Sequence, residues 1–137
     1  RDLDDRDEIF EMVNRFYREV SQDDVLHPWF ENVAHTDWQA HYLILADYWE
    51  ANLLGGDHLD GDSLIEAHQW LNRELPFSAE TFDRWLGLFF DVVDTGWTGP
   101  KATAAKKRGL GLAWAMAHRL VGEGAWRPHD DPRFQVR

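Results

Sequence analysis

The stretch SLIEAHQWLNRELPFSAETFDRWLGLFF, residues 63–90, contains two helical patterns separated by a proline. Its opening S-L-I-E has the form of a capping box and predicts a short helix with His68 and Leu71 on its apolar face. Pro76 ends this helix, and Ser78 predicts the cap of the next one. The apolar face of that next helix comprises Phe82, Trp85, Leu86, Phe89 and Val93. A histidine on an apolar face therefore precedes, by one short connection, a helix with several buried rings.

Three further helices are predicted around this stretch, and no segment alternates as a strand would. The first spans 5–20, the second runs from a T-D-W-Q capping box at Thr36 to residue 54, and the last runs from Pro100 to Val121. Between the first two, the segment SQDDVLHPWF predicts a turn that carries Trp29 and Phe30 inward. We therefore predict an all-α protein with one domain, residues 1–121, and a loosely attached C-terminal tail, residues 122–137.

The composition excludes several classes of function. A chain of 137 residues without cysteine has no disulfide, thiolate metal site or cysteine nucleophile. Its formal net charge of −11 disfavours nucleic acid and acidic lipid as partners. The sequence has neither a membrane-length apolar run nor a signal peptide, so we expect no membrane association and a cytoplasmic location. Aromatic residues make up 14% of the chain, including eight tryptophans, which indicates that something flat and apolar is enclosed.

Common catalytic and metal motifs are absent. The loop GDHLDGDS has some features of a calcium loop, but the position of its bidentate glutamate would hold Ala67. No Glu-x-x-His pair, phosphate loop, H-E-x-x-H pair or G-x-S-x-G elbow occurs. His58, in the same loop, is interpreted as a solvated residue.

Four polar side chains remain on otherwise apolar helix faces: Tyr17, His41, His68 and Trp85. Each alone is more often a packed residue with a satisfied polar tip. Together they would converge among apolar side chains, namely Phe16, Phe30, Leu45, Trp49 and Phe89. An apolar cavity with few polar contacts is the usual form of a cofactor site, and a haem would use every part of this one.

The sequence also resembles the truncated haemoglobins, small globins with a two-over-two helical sandwich around haem. The matching stretches are FYREV (16–20), LHPWF (26–30), DWQAHYLILADYWEANLLGG (37–56), AHQWL (67–71) and FDRWLGLFFDVVDTGWTGP (82–100). The D-W-x-x-H, the Y-W before L-L-G and the R-W-L-x-L-F most resemble the third subgroup. Resemblance thus extends over most of residues 10–121.

This resemblance implies haem b, iron protoporphyrin IX, with His68 as the proximal iron ligand. Tyr17, His41 and Trp85 would line the pocket for oxygen or another gas. The porphyrin itself would contact apolar residues, namely Phe30, Leu45, Trp49, Leu71 and Phe89. His68 precedes Trp85 by 17 positions, a spacing like that of the first subgroup. A shorter alignment would place Asn72 near the ligand position, but imidazole is the better iron ligand, so the prediction stays with His68.

The implied function is reversible binding of dioxygen, carbon monoxide and nitric oxide. Two hydrogen-bond donors should slow oxygen release, which suits redox chemistry better than oxygen transport. Nitric oxide dioxygenase or peroxidase-like activity would need an external reductase, so whether the chain is an enzyme is left open. A gas sensor or storage protein is the second class of function, and a haem-free helical interaction module is the third. His41 has three open roles: a further donor, a gate or an internal iron ligand.

Overall fold

The computed structural model describes residues 1–30, 38–55 and 61–136, and at residues 38–39 and 61–64 it describes the backbone alone. The described residues contain five α-helices. They are α1 (Arg6–Gln22), α2 (Trp38–Leu54), α3 (Gly61–Glu74), α4 (Ala79–Gly96) and α5 (Pro100–Leu120). The described residues contain no strand, so the all-α prediction is confirmed. None of the described helices has the length and apolar character needed to cross a bilayer.

Local side-chain caps set the starts of α1 and α4. The Asp5 carboxylate caps α1 by accepting a hydrogen bond from the Glu8 N–H at 3.0 Å. A reciprocal capping box between Ser78 and Thr81 starts α4, as Ser78 predicted. The helix α3 begins at Gly61, two residues before the predicted cap at Ser63. The predicted capping box at Thr36 and the interpretation of His58 both lie outside the described residues.

The helices form two layers. One layer pairs α1 with α2, the other pairs α4 with α5, and α1 packs across the layers on α4. Apolar side chains of α1 and α4 fill the space between the layers, and Val13, Leu86 and Val93 are fully buried. The shorter α3 packs on α5. This arrangement is the two-over-two sandwich expected from the sequence.

A residue near the N-terminus caps the first turn of α5. Gly99 precedes this helix with φ of 137° and has no side chain to cap it. Instead, the Asp2 carboxylate accepts hydrogen bonds from the N–H groups of Lys101 and Ala102, at 3.0 and 2.7 Å. Burial raises the pKa of Asp2, but the hydrogen bonds from Lys101, Leu3 and Ala102 outweigh it and hold that pKa below its ordinary value.

Residues after α5 pack against the core. Trp126 and Phe134 are 7% and 2% exposed and belong to the buried cluster. The indole N–H of Trp126 donates to the Asp83 carboxylate at 2.7 Å, and its ring stacks on Phe82. The prediction that residues 122–137 are loosely attached was therefore wrong, because two aromatic side chains in that segment supply enough apolar area to fix it.

Candidate functional site

Tyr17 lies at the centre of an aromatic cluster between α1 and α2. Its ring meets His41 of α2 edge to face, with centroids 5.1 Å apart, and meets Phe30 at 6.0 Å. Phe16 and Tyr42 complete the surroundings at 4.8 and 6.3 Å. Because α1 places residues 16 and 17 on its buried face, this hydroxyl is held within an apolar setting.

The Tyr17 hydroxyl accepts a hydrogen bond from the side chain of Trp85 on α4. Burial raises the pKa of Tyr17 well above its ordinary value, and the bond from Trp85 only partly opposes that rise. The phenol is therefore neutral at physiological pH and retains its own proton. The two donors, which the sequence placed on different helices, are joined in one network.

Trp85 belongs to a stack of three rings. Phe89 of α4 is parallel to Trp85, at 5.7 Å between centroids and 7° between planes. Phe89 also stacks on Trp49 of α2, at 5.1 Å and 18°. Phe16 closes the edge of Phe89 at 5.2 Å. Two layers of the sandwich are thus joined through rings that the sequence predicted to line one cavity.

His41 contributes a half-buried imidazole to the same cluster. Its Nε2 atom is fully buried, and its ring also lies 6.1 Å from that of Phe30. Burial lowers the pKa of His41 below its ordinary value, and the nearby charge of His68 lowers it further. His41 is therefore held neutral, and it lies close enough to His68 for the two charges to interact.

His68 lies on α3, on a face fixed by its neighbours. Ile65 and Asn72 are three and four residues away, so the three share one side of the helix. Ile65 is buried, and the Asn72 amide donates to the Leu120 carbonyl at the end of α5 at 3.1 Å. The same Asn72 side chain accepts from the Phe77 N–H at 2.8 Å. Both ends of the Asn72 amide hold backbone groups, a structural role that the sequence did not indicate.

The helices α2 and α3 each carry one of the two histidines, His41 and His68. Over the described ranges these helices make at most marginal contact with each other. Three of the large apolar side chains left exposed belong to them: Leu43 and Ile44 of α2 and Trp70 of α3. Each helix is held instead by the rest of the fold, α2 mainly by α1 and α3 by α5.

Most of the residues predicted for the site come together, and a few remain apart. Ring contacts through Phe16 join six of the predicted residues into one set: Tyr17, Phe30, His41, Trp49, Trp85 and Phe89. Leu45 is partly buried and packs on the core. Leu71 is half-buried on α3, three residues after His68. The sequence analysis missed Tyr42, although its position next to His41 was a signal for it.

This residue set fits a flat prosthetic group with one imidazole ligand. The set combines aromatic and aliphatic side chains, among them Phe30, Trp49 and Phe89, with few polar groups, which is the chemistry of a porphyrin site. The marginal contact between α2 and α3 over the described ranges, with one imidazole on each helix, supports the fit.

Comparison with known proteins agrees with this geometry. No protein-family model matches the chain. The group 3 truncated hemoglobin ctb of Campylobacter jejuni is 32% identical over 87 residues, which cover 61% of this chain and 65% of that relative, less than two thirds of its length. The crystal structure of group III truncated hemoglobin from Campylobacter jejuni superposes with a TM-score of 0.74 at 26% identity, over 88% of this chain and 94% of that one. The resemblance expected from the sequence is confirmed.

Proposed function

We propose that this chain is a truncated globin similar to those of group III, that it binds haem between α2 and α3, and that it takes up a diatomic gas there. The observation that carries the proposal is the contact of His41 with Tyr17, whose oxygen accepts a hydrogen bond from Trp85, within reach of the charge of His68. Haem would supply an iron with one coordination position open to a gas such as oxygen.

His68 is proposed as the proximal ligand. It lies on α3 between Ile65 and Asn72, both of which hold that helix against the rest of the molecule. Asn72 is the weaker candidate, because its amide is already engaged at both ends and because an amide is a poor ligand for haem iron. The charge interaction of His68 with His41, which contacts Tyr17, supports a ligand near the Tyr17 cluster.

Tyr17 and Trp85 are proposed to stabilise the bound gas. The Trp85 indole donates to the Tyr17 oxygen, and the buried, neutral Tyr17 keeps a proton to donate in turn. Because the surrounding rings exclude water, a hydrogen bond there is stronger than the same bond in solvent. Such donors stabilise a ligand that carries negative charge and do little for one that does not.

Oxygen-dependent redox chemistry is the finer proposal, and the two linked donors favour it because they slow oxygen release. Conversion of nitric oxide and oxygen to nitrate consumes one electron in each cycle, which an external reductase would supply. The cycle therefore predicts nitrate formation that continues only in the presence of a reductant and a competent reductase. A single burst of nitrate without turnover would instead favour gas storage or sensing.

Haem titration followed by absorbance tests the proposal. The purified chain should show a Soret band, or gain one on addition of haem, and the band should saturate at one haem for each chain. The ferrous protein should then bind carbon monoxide with a shift of that band. A folded chain that shows no Soret band after haem is added would contradict the haem proposal and favour a helical interaction module.

A further inference from the structure

Gly109 allows α5 to approach Phe89 more closely than any other residue would. A Cβ atom at position 109 would lie 2.9 Å from Cε2 and 3.0 Å from Cδ2 of the Phe89 ring. Both distances are shorter than ordinary van der Waals contact, so a side chain at this position must displace the ring. Gly109 is buried in the middle of α5, where glycine costs about 1 kcal/mol of helix stability relative to alanine. The close approach is a physical reason for accepting that cost.

Neighbouring rings restrict the movement of Phe89. It stacks on both Trp49 and Trp85, and it is in edge-to-face contact with Phe16. Phe89 itself is 1% exposed. Interiors packed at this density transmit a displacement to the next side chain instead of absorbing it. Any group added at position 109 would therefore act on the two indoles that stack on Phe89.

Trp85 is the member of this stack that belongs to the proposed gas-binding network. Its indole donates to the Tyr17 hydroxyl, and hydrogen bonds weaken steeply as their angle departs from linear. We infer that Gly109 is a positioning residue for the gas-binding network: the space it leaves seats Phe89, and Phe89 in turn sets the position from which Trp85 reaches Tyr17. This inference deepens the proposed function and rests on it wherever gas binding is the readout.

The chain offers a matched control on the same helix. Gly111 lies two residues after Gly109, is exposed, and would place an added Cβ with no atom within 4 Å. Both substitutions to alanine gain the same helix propensity. Their difference therefore isolates the contact with Phe89.

The direct test is the indole N–H signal of Trp85 in an NMR spectrum of protein labelled with ¹⁵N-tryptophan. Its absence in Trp85→Phe identifies the signal among the eight tryptophans. We expect Gly109→Ala to shift this signal and Gly111→Ala to leave it in place. Phe89→Leu, which keeps Gly109 but removes the ring between the indoles, should shift it as well. This second variant decides the matter if Gly109→Ala does not fold.

The second readout is gas dissociation from the haem-loaded protein. Gly109→Ala should speed oxygen dissociation about five-fold, as partial loss of one hydrogen bond would, and change carbon monoxide dissociation much less. An unmoved Trp85 signal in folded Gly109→Ala, or in folded Phe89→Leu where Gly109→Ala fails to fold, would overturn the inference. So would equal effects of Gly109→Ala on the two gases. If the wild type binds no haem, the proposed function fails, and the Trp85 signal alone still decides the role of Gly109.

Discussion

The packed half of the molecule, built from α1, α4 and α5, differs from the pair α2 and α3. In the packed half, apolar faces meet partners from within the chain, and residues at both termini complete it through Leu3, Trp126 and Phe134. Between α2 and α3, helix contact is marginal over the described ranges, and Ile44 of α2 is 59% exposed. The difference indicates that folding stability resides mainly in the packed half, which also contributes the two proposed gas-binding residues, Tyr17 and Trp85. Substitutions at these residues or at His68 should therefore affect ligand binding, and substitutions remote from them should affect stability.

The largest expected effect is the loss of haem on His68→Gly. Removing the proposed ligand should abolish the Soret band or make haem binding weak, and added imidazole should restore a five-coordinate spectrum. Thermal unfolding of wild type and His68→Gly in their haem-free form, followed by circular dichroism, should differ little, since glycine within a helix costs about 1 kcal/mol. His118→Gly is the matched control, because His118 is an exposed histidine on α5. A normal haem spectrum in His68→Gly would show that another residue is the ligand.

Asn72→Ala should produce the opposite pattern. Its amide joins α3 to the end of α5 and to the Phe77 N–H, so its loss leaves two backbone groups without this partner. We expect unfolding free energy to fall by about 1–3 kcal/mol in urea titrations while the Soret band persists. Haem loss in Asn72→Ala at full stability would reverse the assignment of ligand and anchor.

Trp126→Ala should destabilise the packed half and leave gas binding unchanged. It removes a ring that stacks on Phe82 and a hydrogen bond to Asp83, and comparable truncations cost about 3–5 kcal/mol. Trp126→Phe keeps a ring and should cost only about 1 kcal/mol. Urea denaturation measures both, and oxygen dissociation should be unchanged. A loss below about 0.5 kcal/mol in Trp126→Ala would show that residues 122–137 contribute nothing to folding.

Tyr17→Phe should speed oxygen dissociation by about ten- to hundred-fold, because a hydrogen bond to a charged acceptor contributes about 1.5–3 kcal/mol. Carbon monoxide is the control, since it carries far less negative charge than oxygen in the same position. Trp85→Phe should act in the same direction with a smaller effect. The double variant should be less than additive, because the two side chains share one hydrogen bond. Comparable acceleration of both gases would favour a steric role for the ring.

Asp2→Asn should have the smallest effect, and one that depends on pH. The pKa of Asp2 is held below its ordinary value of 3.8, so the folded state binds this proton less readily than the unfolded chain. Its stabilisation, about 1 kcal/mol for a helix cap, is therefore complete above about pH 4 and is lost as the pH falls further. Asp2→Asn should lower stability at pH 7 and converge with wild type in acid. Asp4→Asn, which loses only a surface ion pair with Lys101, should change stability less at pH 7.

The candidate site was predictable where a helix face carried the signal. Tyr17, His41 and Trp85 could be chosen because each is a polar group at an apolar position of a periodic helix, and the structure joins them in one cluster. Gly109 and Asn72 could not be chosen in this way. Glycine within a helix and asparagine near a helix end have many local explanations, and their partners, Phe89 and Leu120, are distant in sequence.

Helix order, the cap of α4 at Ser78 and the two buried faces of α1 and α4 followed from the sequence alone, because hydrophobic period and cap chemistry act over three or four residues. Contacts between distant segments were decided only by the tertiary structure. The cap on α5 comes from Asp2, nearly a hundred residues earlier, and residues 122–137 are held by aromatic contacts to α4 that no local pattern marks. The reason is that close packing depends on the shapes of both partners, and a sequence read along one helix contains only one of them.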